Sequence, residues 1–231
     1  MLIKFYSFVY IILIPFVLIK GILRNEGLKV FERFGIYRKE RFYDTPCIWL
    51  HAVSVGEISA IVPLVNELRL RGENIVVTTG TISGFETCKR IFGNMITHVF
   101  FPVDLEFAIK KFFNRFNPKK VLVAEVELWP NLVLFCQKNG VGISLINGRL
   151  SARSFRIYSK LVKFLQPIFT SFDKVICQNH LYATRFKELG FKECSISVSG
   201  NMKIDVTPSH NIGINLQERL EKLFHQKKII V

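Results

Sequence analysis

Residues 47–70 read Cys-Ile-Trp-Leu-His-Ala-Val-Ser-Val-Gly-Glu-Ile-Ser-Ala-Ile-Val-Pro-Leu-Val-Asn-Glu-Leu-Arg-Leu, and their periodicity changes halfway along. Before Ser54 the run is short, apolar and of strand type. After Gly56 the apolar residues Ile58, Ile61, Val62, Val65 and Leu68 recur at helical spacing. The pattern predicts a strand, a tight turn and a helix. In an open parallel sheet such a junction lies at the carboxyl edge of a strand, where ligands bind and helix N-termini present free N–H groups. Glu57 occupies that junction. Ser54-Val55-Gly56-Glu57 also fits the S-x-x-E capping box, in which the glutamate serves a backbone donor, and on spacing alone the cap is the better reading. The two roles exclude one another only if the carboxylate is fully occupied.

The same alternation continues outward. Strand-like runs at Ile75 to Thr79, His98 to Phe101, Val121 to Ala124, Ile143 to Ile146, Val175 to Cys177 and Ile196 to Val198 alternate with helical patterns. The helical patterns are Phe85 to Phe92, Leu105 to Phe116, Ser154 to Phe169 and Tyr182 to Leu189. Seven strands alternating with helices predict an α/β fold, a parallel sheet covered by helices on both faces. Polar residues collect at the strand ends: Thr78 to Gly84, Pro102-Val103-Asp104, Glu125-Val126-Glu127-Leu128-Trp129-Pro130-Asn131, Asn147-Gly148-Arg149-Leu150-Ser151 and Gly200-Asn201-Met202-Lys203-Ile204-Asp205. Glu125 and Glu127 face opposite ways if the strand persists that far. A structural role is the better reading for Trp129, whose ring is mostly hydrophobic bulk.

At 231 residues and 49% hydrophobic content the chain can build one large domain with appendages. Its formal net charge of +14 favours an anionic partner, whether phosphate, membrane or nucleic acid. The five cysteines (Cys47, Cys88, Cys136, Cys177, Cys194) are widely spaced with no C-x-x-C pair, so buried free thiols are expected. The histidines show no metal-ligand spacing. No G-x-G-x-x-G follows the first strand, and Gly80 to Gly84 lacks the Gly-Lys-Ser/Thr of a P-loop, which argues against an NTPase or a dinucleotide enzyme.

Phe5 to Ile19 is an apolar stretch bounded by Lys4 and Lys20, and no small-residue cleavage site follows it. We read residues 1–24 as a retained anchor lying in or dipping through one leaflet. The basic residues after it favour the cytoplasmic face and its anionic lipids. Between Ser154 and Phe169 one face is apolar, while Arg153, Arg156, Lys160 and Lys163 form a basic stripe that suits a phosphorylated or membrane-borne substrate or an ordinary solvated face. Residues 207–231 read as a linker, a short amphipathic helix and the start of a further strand.

Taken in order, the apolar N-terminus, Glu32-Arg33-Phe34-Gly35, His51-Ala52-Val53-Ser54-Val55-Gly56-Glu57 and the five strand-end segments resemble the 3-deoxy-D-manno-octulosonic acid (Kdo) transferases of lipopolysaccharide biosynthesis. The resemblance implies the Rossmann-like N-terminal domain, residues 25–206, of a two-domain GT-B glycosyltransferase at the inner membrane. It implies transfer of Kdo from CMP-Kdo to a lipid A precursor with inversion, no metal or other cofactor, no nucleic-acid partner, and Glu57 as general base. It places Ser54, Gly56, Thr79, Glu125, Glu127, Asn147, Arg149 and Lys203 in substrate binding. A helix N-terminus is expected to keep the Glu57 carboxylate ionised. Gly148 stands where the family usually has alanine. The resemblance puts the first strand of the donor-binding domain at the end of the chain, so a truncated, non-catalytic membrane-bound remnant or lipid-binding module is the second reading.

Overall fold

The strand β1 (Cys47–His51) is buried along its whole length, which requires a neighbour on each side and a helical layer on each face. The computed structural model describes residues 2–23, 27–37 and 45–203; the linker, short helix and further strand expected over 207–231 lie outside them. β1 pairs in parallel with β2 (Asn74–Thr79) on one side and β4 (Pro118–Ala124) on the other. With β3 (Thr97–Phe100), β5 (Gly142–Gly148), β6 (Lys174–Cys177) and β7 (Ile196–Val198), the sheet runs β3-β2-β1-β4-β5-β6-β7, parallel throughout. The strand order reverses between β1 and β4, the point at which open α/β sheets bind ligands.

Alternate residues of each strand feed the two cores. Ile48, Leu50, Ile75 and Val77 pack against α2 (Val55–Leu70) and α3 (Ile82–Phe92). Cys47, Trp49, Val121 and Val123 pack against α4 (Glu106–Phe116), α5 (Pro130–Lys138), α7 (Val162–Phe169) and α8 (His180–Glu188). Trp49 is fully buried, stacked on Phe112 at 3.9 Å, with its Nε1–H donating to Thr78 Oγ1 at 2.8 Å. Such an aromatic pair contributes about 0.5–1.5 kcal/mol beyond its buried area. Cys47, Cys88, Cys136 and Cys177 are buried free thiols, and Cys194 is an exposed one.

Two elements differ from the pattern read in the sequence. The single helix expected over Ser154 to Phe169 is broken at Leu161 (φ −106°, ψ 6°) into α6 (Ala152–Lys160) and α7. An additional helix, α5, starts at Pro130, where a residue without an N–H costs nothing.

The N-terminal helix α1 (Leu2–Leu23) is longer than the apolar stretch and takes in both Lys4 and Lys20. One stripe of it docks on the body. The Tyr6 hydroxyl donates to Asp104 Oδ2 at 2.9 Å, Ser7 and Asn131 exchange side-chain hydrogen bonds, and Tyr10 and Ile14 pack on Val103, Leu105 and Ala108. Phe5, Phe8, Ile11, Ile12, Phe16 and Ile19 on the remaining surface are exposed. Among the described residues no helix is long and apolar enough to cross a membrane. A 3-10 helix, Gly27–Phe34, follows. From it Glu32 Oε2 accepts the Phe100 N–H at 3.0 Å, and the Arg33 guanidinium lies 4.2 Å over the Phe100 ring and donates to the Gly80 carbonyl. The Glu32-Arg33-Phe34-Gly35 segment thus braces the carboxyl ends of β2 and β3.

Asp104 is fully buried and accepts from the Asn131 and Leu132 N–H groups at 3.0 and 2.8 Å, capping α5 from a neighbouring loop. Burial outweighs these bonds and raises its pKa from 3.8 to about 6. The folded chain therefore binds this proton more readily than the unfolded chain, so the contribution of Asp104 to stability falls as pH rises from about 4 to about 6 and is constant above. Asp104→Asn is expected to reduce that decline, read as the denaturation midpoint at pH 4, 5, 6 and 7. An unchanged pH profile would assign the decline to other groups.

The segment Thr78 to Gly84 wraps the turn after β1. The Gly80 N–H and the Thr81 hydroxyl both donate to the Val53 carbonyl, at 3.3 and 3.0 Å, while Thr81 Oγ1 accepts the Gly84 N–H and starts α3. A Cβ on Gly84 would stand 2.9 Å from the Val53 carbonyl oxygen. In an unobstructed helix Gly→Ala stabilises by roughly 0.5–1 kcal/mol. Here Gly84→Ala is expected to destabilise by about 1–3 kcal/mol through overpacking, so the sign of the shift in denaturation midpoint decides.

Candidate active site

Helix α2 begins after Ser54, whose backbone is extended (φ −120°, ψ 167°). Its first turn brings Glu57 back toward the end of β1. Glu57 Oε2 accepts the Val53 N–H at 2.9 Å, and Oε1 accepts the Ser54 hydroxyl at 2.8 Å. This is half a capping box: the glutamate serves a backbone donor, but Ser54 directs its hydroxyl to the carboxylate and makes no side-chain cap of its own. Each carboxylate oxygen holds one donor and retains a further lone pair. The cap and a proton-accepting role are therefore compatible.

Glu57 is 8% exposed. Burial raises its pKa above the usual carboxylate value, and Glu125 adds to the rise. The bonds from Val53 and Ser54 and the charge of Lys203 oppose it without cancelling it. Loss of water therefore outweighs what favours the ionised form at this helix N-terminus.

Across the crevice β4 stops at Ala124. Glu125 turns at once into the left-handed region (φ +56°), and its N–H donates to the Ile146 carbonyl at 2.9 Å. The strand does not persist to Glu127, so the alternation that would send Glu125 and Glu127 to opposite sides does not apply. Lys203 Nζ meets Glu125 Oε1 at 3.1 Å. The same ammonium lies beside the first turn of α2, where a Cβ on Gly56 would touch it at 3.4 Å. Glu127 has no hydrogen-bond or ion-pair partner among the described residues. Burial, then repulsion by Glu57 and Glu125, raises its pKa from 4.5 to about 7.

Ser54, Gly56, Glu57, Glu125, Glu127 and Lys203 therefore gather at the switch point between β1 and β4. Asn147 stands behind them. It is fully buried with φ +52°, its Oδ1 accepts the Met202 N–H at 3.1 Å, and its carbonyl accepts from Gln178 Nε2. It holds the loop that carries Lys203, and its Nδ2 is buried without a partner among the described residues. Arg149 is exposed just after β5 and makes no ion pair among the described residues. Thr79 is a correction: it is fully buried and its hydroxyl is paired with His98 Nε2 at 3.1 Å, so it supports the sheet rather than facing the crevice.

Two residues near this crevice, His51 and Asp104, receive no individual role from the sequence, and a third, Trp129, reads there as structural. His51 is neutral: burial lowers its pKa to about 3, its Nδ1 faces the Thr78 oxygens, and its ring stacks on Phe101 at 4.0 Å. His51 Nε2 and Trp129 Nε1 are both buried and unpaired among the described residues, with their rings 6.1 Å apart. Asp104 anchors the far end of the Glu125–Trp129 loop. No residue spacing distinguishes these roles, although the Pro at 130 marks the helix start that Asp104 caps. A concavity of about 430 Å³ lined by Gly35, Ile36, Tyr37, Lys111, Asn114 and Arg115 shares no residue with the crevice. Among the described residues no group of three or more His, Cys, Asp or Glu is arranged to hold a metal ion.

Comparison with known proteins agrees with this geometry. Residues 29–206 match the family model described as 3-deoxy-D-manno-octulosonic-acid transferase (kdotransferase). The chain is 33% identical over 183 residues to 3-deoxy-D-manno-octulosonic acid transferase of Haemophilus influenzae, covering 78% of this chain and 43% of that protein. It is 33% identical over 180 residues to the Chlamydia trachomatis enzyme of the same name, and 32% identical over 196 residues to a probable mitochondrial one of Arabidopsis thaliana. The chain thus spans less than half the length of these curated relatives. Among solved structures, UDP-GlcNAc 2-epimerase from Neisseria meningitidis superposes with a TM-score of 0.52 at 13% identity, over 78% of this chain and 50% of that one. A glycosyltransferase from Rickettsia africae superposes with a TM-score of 0.50 at 12% identity, over 68% of this chain and 43% of that one. These two show the shared fold alone. With the family model over residues 29–206 and the relatives matching the same half, the chain belongs to the 3-deoxy-D-manno-octulosonic acid (Kdo) transferase family.

Proposed function

We propose that this chain forms the acceptor-binding, base-carrying half of a transferase that moves Kdo from CMP-Kdo to a lipid A precursor with inversion, on the cytoplasmic face of the inner membrane. The observation that carries the reading is the Glu57 carboxylate: buried at the switch point, held by two donors, with a lone pair left on each oxygen. A carboxylate whose pKa is raised is, once ionised, a stronger base than an ordinary one, which suits taking a proton from a hydroxyl. Glu57 takes the proton of the acceptor hydroxyl as that oxygen bonds to the anomeric carbon of Kdo, and the bond from that carbon to the phosphate oxygen of CMP breaks. The donor is bound by the part of the enzyme that the curated relatives have beyond the matched region.

Each neighbour has a task in this scheme. Ser54 orients the base. Lys203, paired with Glu125, places a positive charge that opposes the rise in the Glu57 pKa. Glu127 is available to bond a sugar hydroxyl in either protonation state. Arg149, exposed just after β5, is available for an acceptor phosphate. The exposed apolar side of α1 lies in the lipid that contains the acceptor, which suits a helix that lies in or dips into a leaflet.

With the chain joined to the donor half of a relative, Glu57→Gln is expected to lower kcat by about 10²–10⁴-fold while acceptor binding is retained. Glutamine can still accept the Val53 N–H, so near-normal turnover would return Glu57 to a capping role alone. The same assay tests Lys203. Removing its charge raises the Glu57 pKa further, so in Lys203→Met the acid limb of the kcat/KM profile is expected to move to higher pH. A limb that stays in place, or moves to lower pH, would remove Lys203 from control of the base.

A further inference from the structure

Helices α6 and α7 carry no buried residue before Ile168. Phe155, Tyr158, Val162 and Leu165 pack partly against the main core. Ile157, Leu161 and Phe164 do not: they are 50%, 41% and 52% exposed. Ile157 on α6, Leu161 at the break and Phe164 on α7 make up an exposed apolar ridge across the α6–α7 junction. Arg153, Arg156, Lys160 and Lys163 are interspersed with these residues along α6 and α7, all exposed and none with an ion-pair partner among the described residues. From Arg149 to Phe172 the sequence contains no Asp or Glu. An exposed apolar ridge interspersed with cations and free of acidic residues is the signature of a helix lying in an anionic lipid surface, with the long basic side chains reaching the headgroups.

The position of the ridge agrees. α5 contacts both α1 and α7, and α5 and α7 pack on the same face of the sheet. α1, whose outer side is exposed and apolar, adjoins that layer through α5. We propose that Ile157, Leu161 and Phe164, with Arg153, Arg156, Lys160 and Lys163, form a second lipid-contacting surface, separate from α1, that lays this helical layer on an anionic bilayer. The inference extends the membrane reading of α1 and rests on it for the side of the molecule that meets lipid. Two contacts fix an orientation where one leaves the body free to swivel, and charge on the ridge selects the anionic leaflet.

The test uses the whole chain with Phe164→Trp as the ridge reporter, and as a control Leu70→Trp at the exposed end of α2 in the opposite layer. Emission of the introduced indole is taken as the difference from the parent chain, which carries Trp49 and Trp129. Vesicles of phosphatidylglycerol and phosphatidylethanolamine, with brominated acyl chains as quencher, provide the surface. The ridge reporter is expected to shift to the blue and be quenched on adding vesicles, whereas the control reporter changes by neither measure. Arg156→Glu with Lys160→Glu is expected to weaken binding to these vesicles by about tenfold or more, and to leave binding to phosphatidylcholine vesicles unchanged. Sedimentation with vesicles reports α1 independently. A chain that sediments while the ridge reporter stays unquenched would overturn the ridge and leave α1 standing. Failure to sediment at all would overturn the membrane reading itself. Blue-shifted emission from the ridge reporter before lipid is added would show that protein covers the ridge, and an affinity unmoved by the charge reversal would overturn the anionic surface as its partner.

Discussion

The parallel pairing of β1 with β4 is the constraint on which the site depends. Ile48 to His51 run beside Lys120 to Val123 in continuous register, so both strands end at the same height. From there β1 leads into α2 on one face of the sheet, and β4 leads through Glu125–Trp129 into α5 on the other. Two connections leaving in opposite directions open a crevice between them. Glu57 lines one wall and Glu125 the other. Trp49 keeps the strands at that height: its ring fills the space under α4 and its N–H is tied to Thr78 on the opposite neighbour of β1.

Within the crevice, burial and bonding compete residue by residue. Asp104 has three donors, and still titrates near 6 because it is sealed from water. Glu127 is less enclosed but has no donor among the described residues and faces two like charges, and it titrates near 7. Glu57 is also raised by burial, against two donors and one attracting ammonium and with one repelling carboxylate adding to the rise. His51 shows the same loss of water acting on a cation, which makes its charged form the unfavourable one. The Val53 and Ser54 bonds do most to draw Glu57 toward ionisation, and the Lys203 ammonium, paired directly with Glu125, adds to them.

The strand count, the parallel sense and the Ser54–Glu57 junction are legible in the sequence because each follows from a local change of period. The gathering of Glu57, Glu125 and Lys203 is not, since residues this far apart in the chain meet only through the order of strands in the sheet. The left-handed turn at Glu125 is hidden for a related reason. Nothing about a glutamate after an apolar run marks it as the end of the strand, and the turn is imposed by the Ile146 carbonyl from β5. Thr79 is misread from sequence because a strand-end threonine looks the same whether its hydroxyl faces ligand or, as here, a histidine one strand away. The break at Leu161 divides a helix whose apolar spacing runs on without interruption, so periodicity cannot reveal it.

Backbone in the left-handed region costs a non-glycine residue on the order of 1–3 kcal/mol and persists only where the surroundings over-determine it. The Glu125–Trp129 loop is fixed at both ends. At its start the Glu125 N–H is held by β5, and at its finish the Asn131 and Leu132 N–H groups are held by Asp104. Asp104 also receives the Tyr6 hydroxyl from α1. One buried carboxylate therefore joins the N-terminal helix to the loop that carries two of the three crevice glutamates. Displacement of α1 would remove a donor from Asp104, and the cap of α5 and the end of the loop would feel the loss through the same atom.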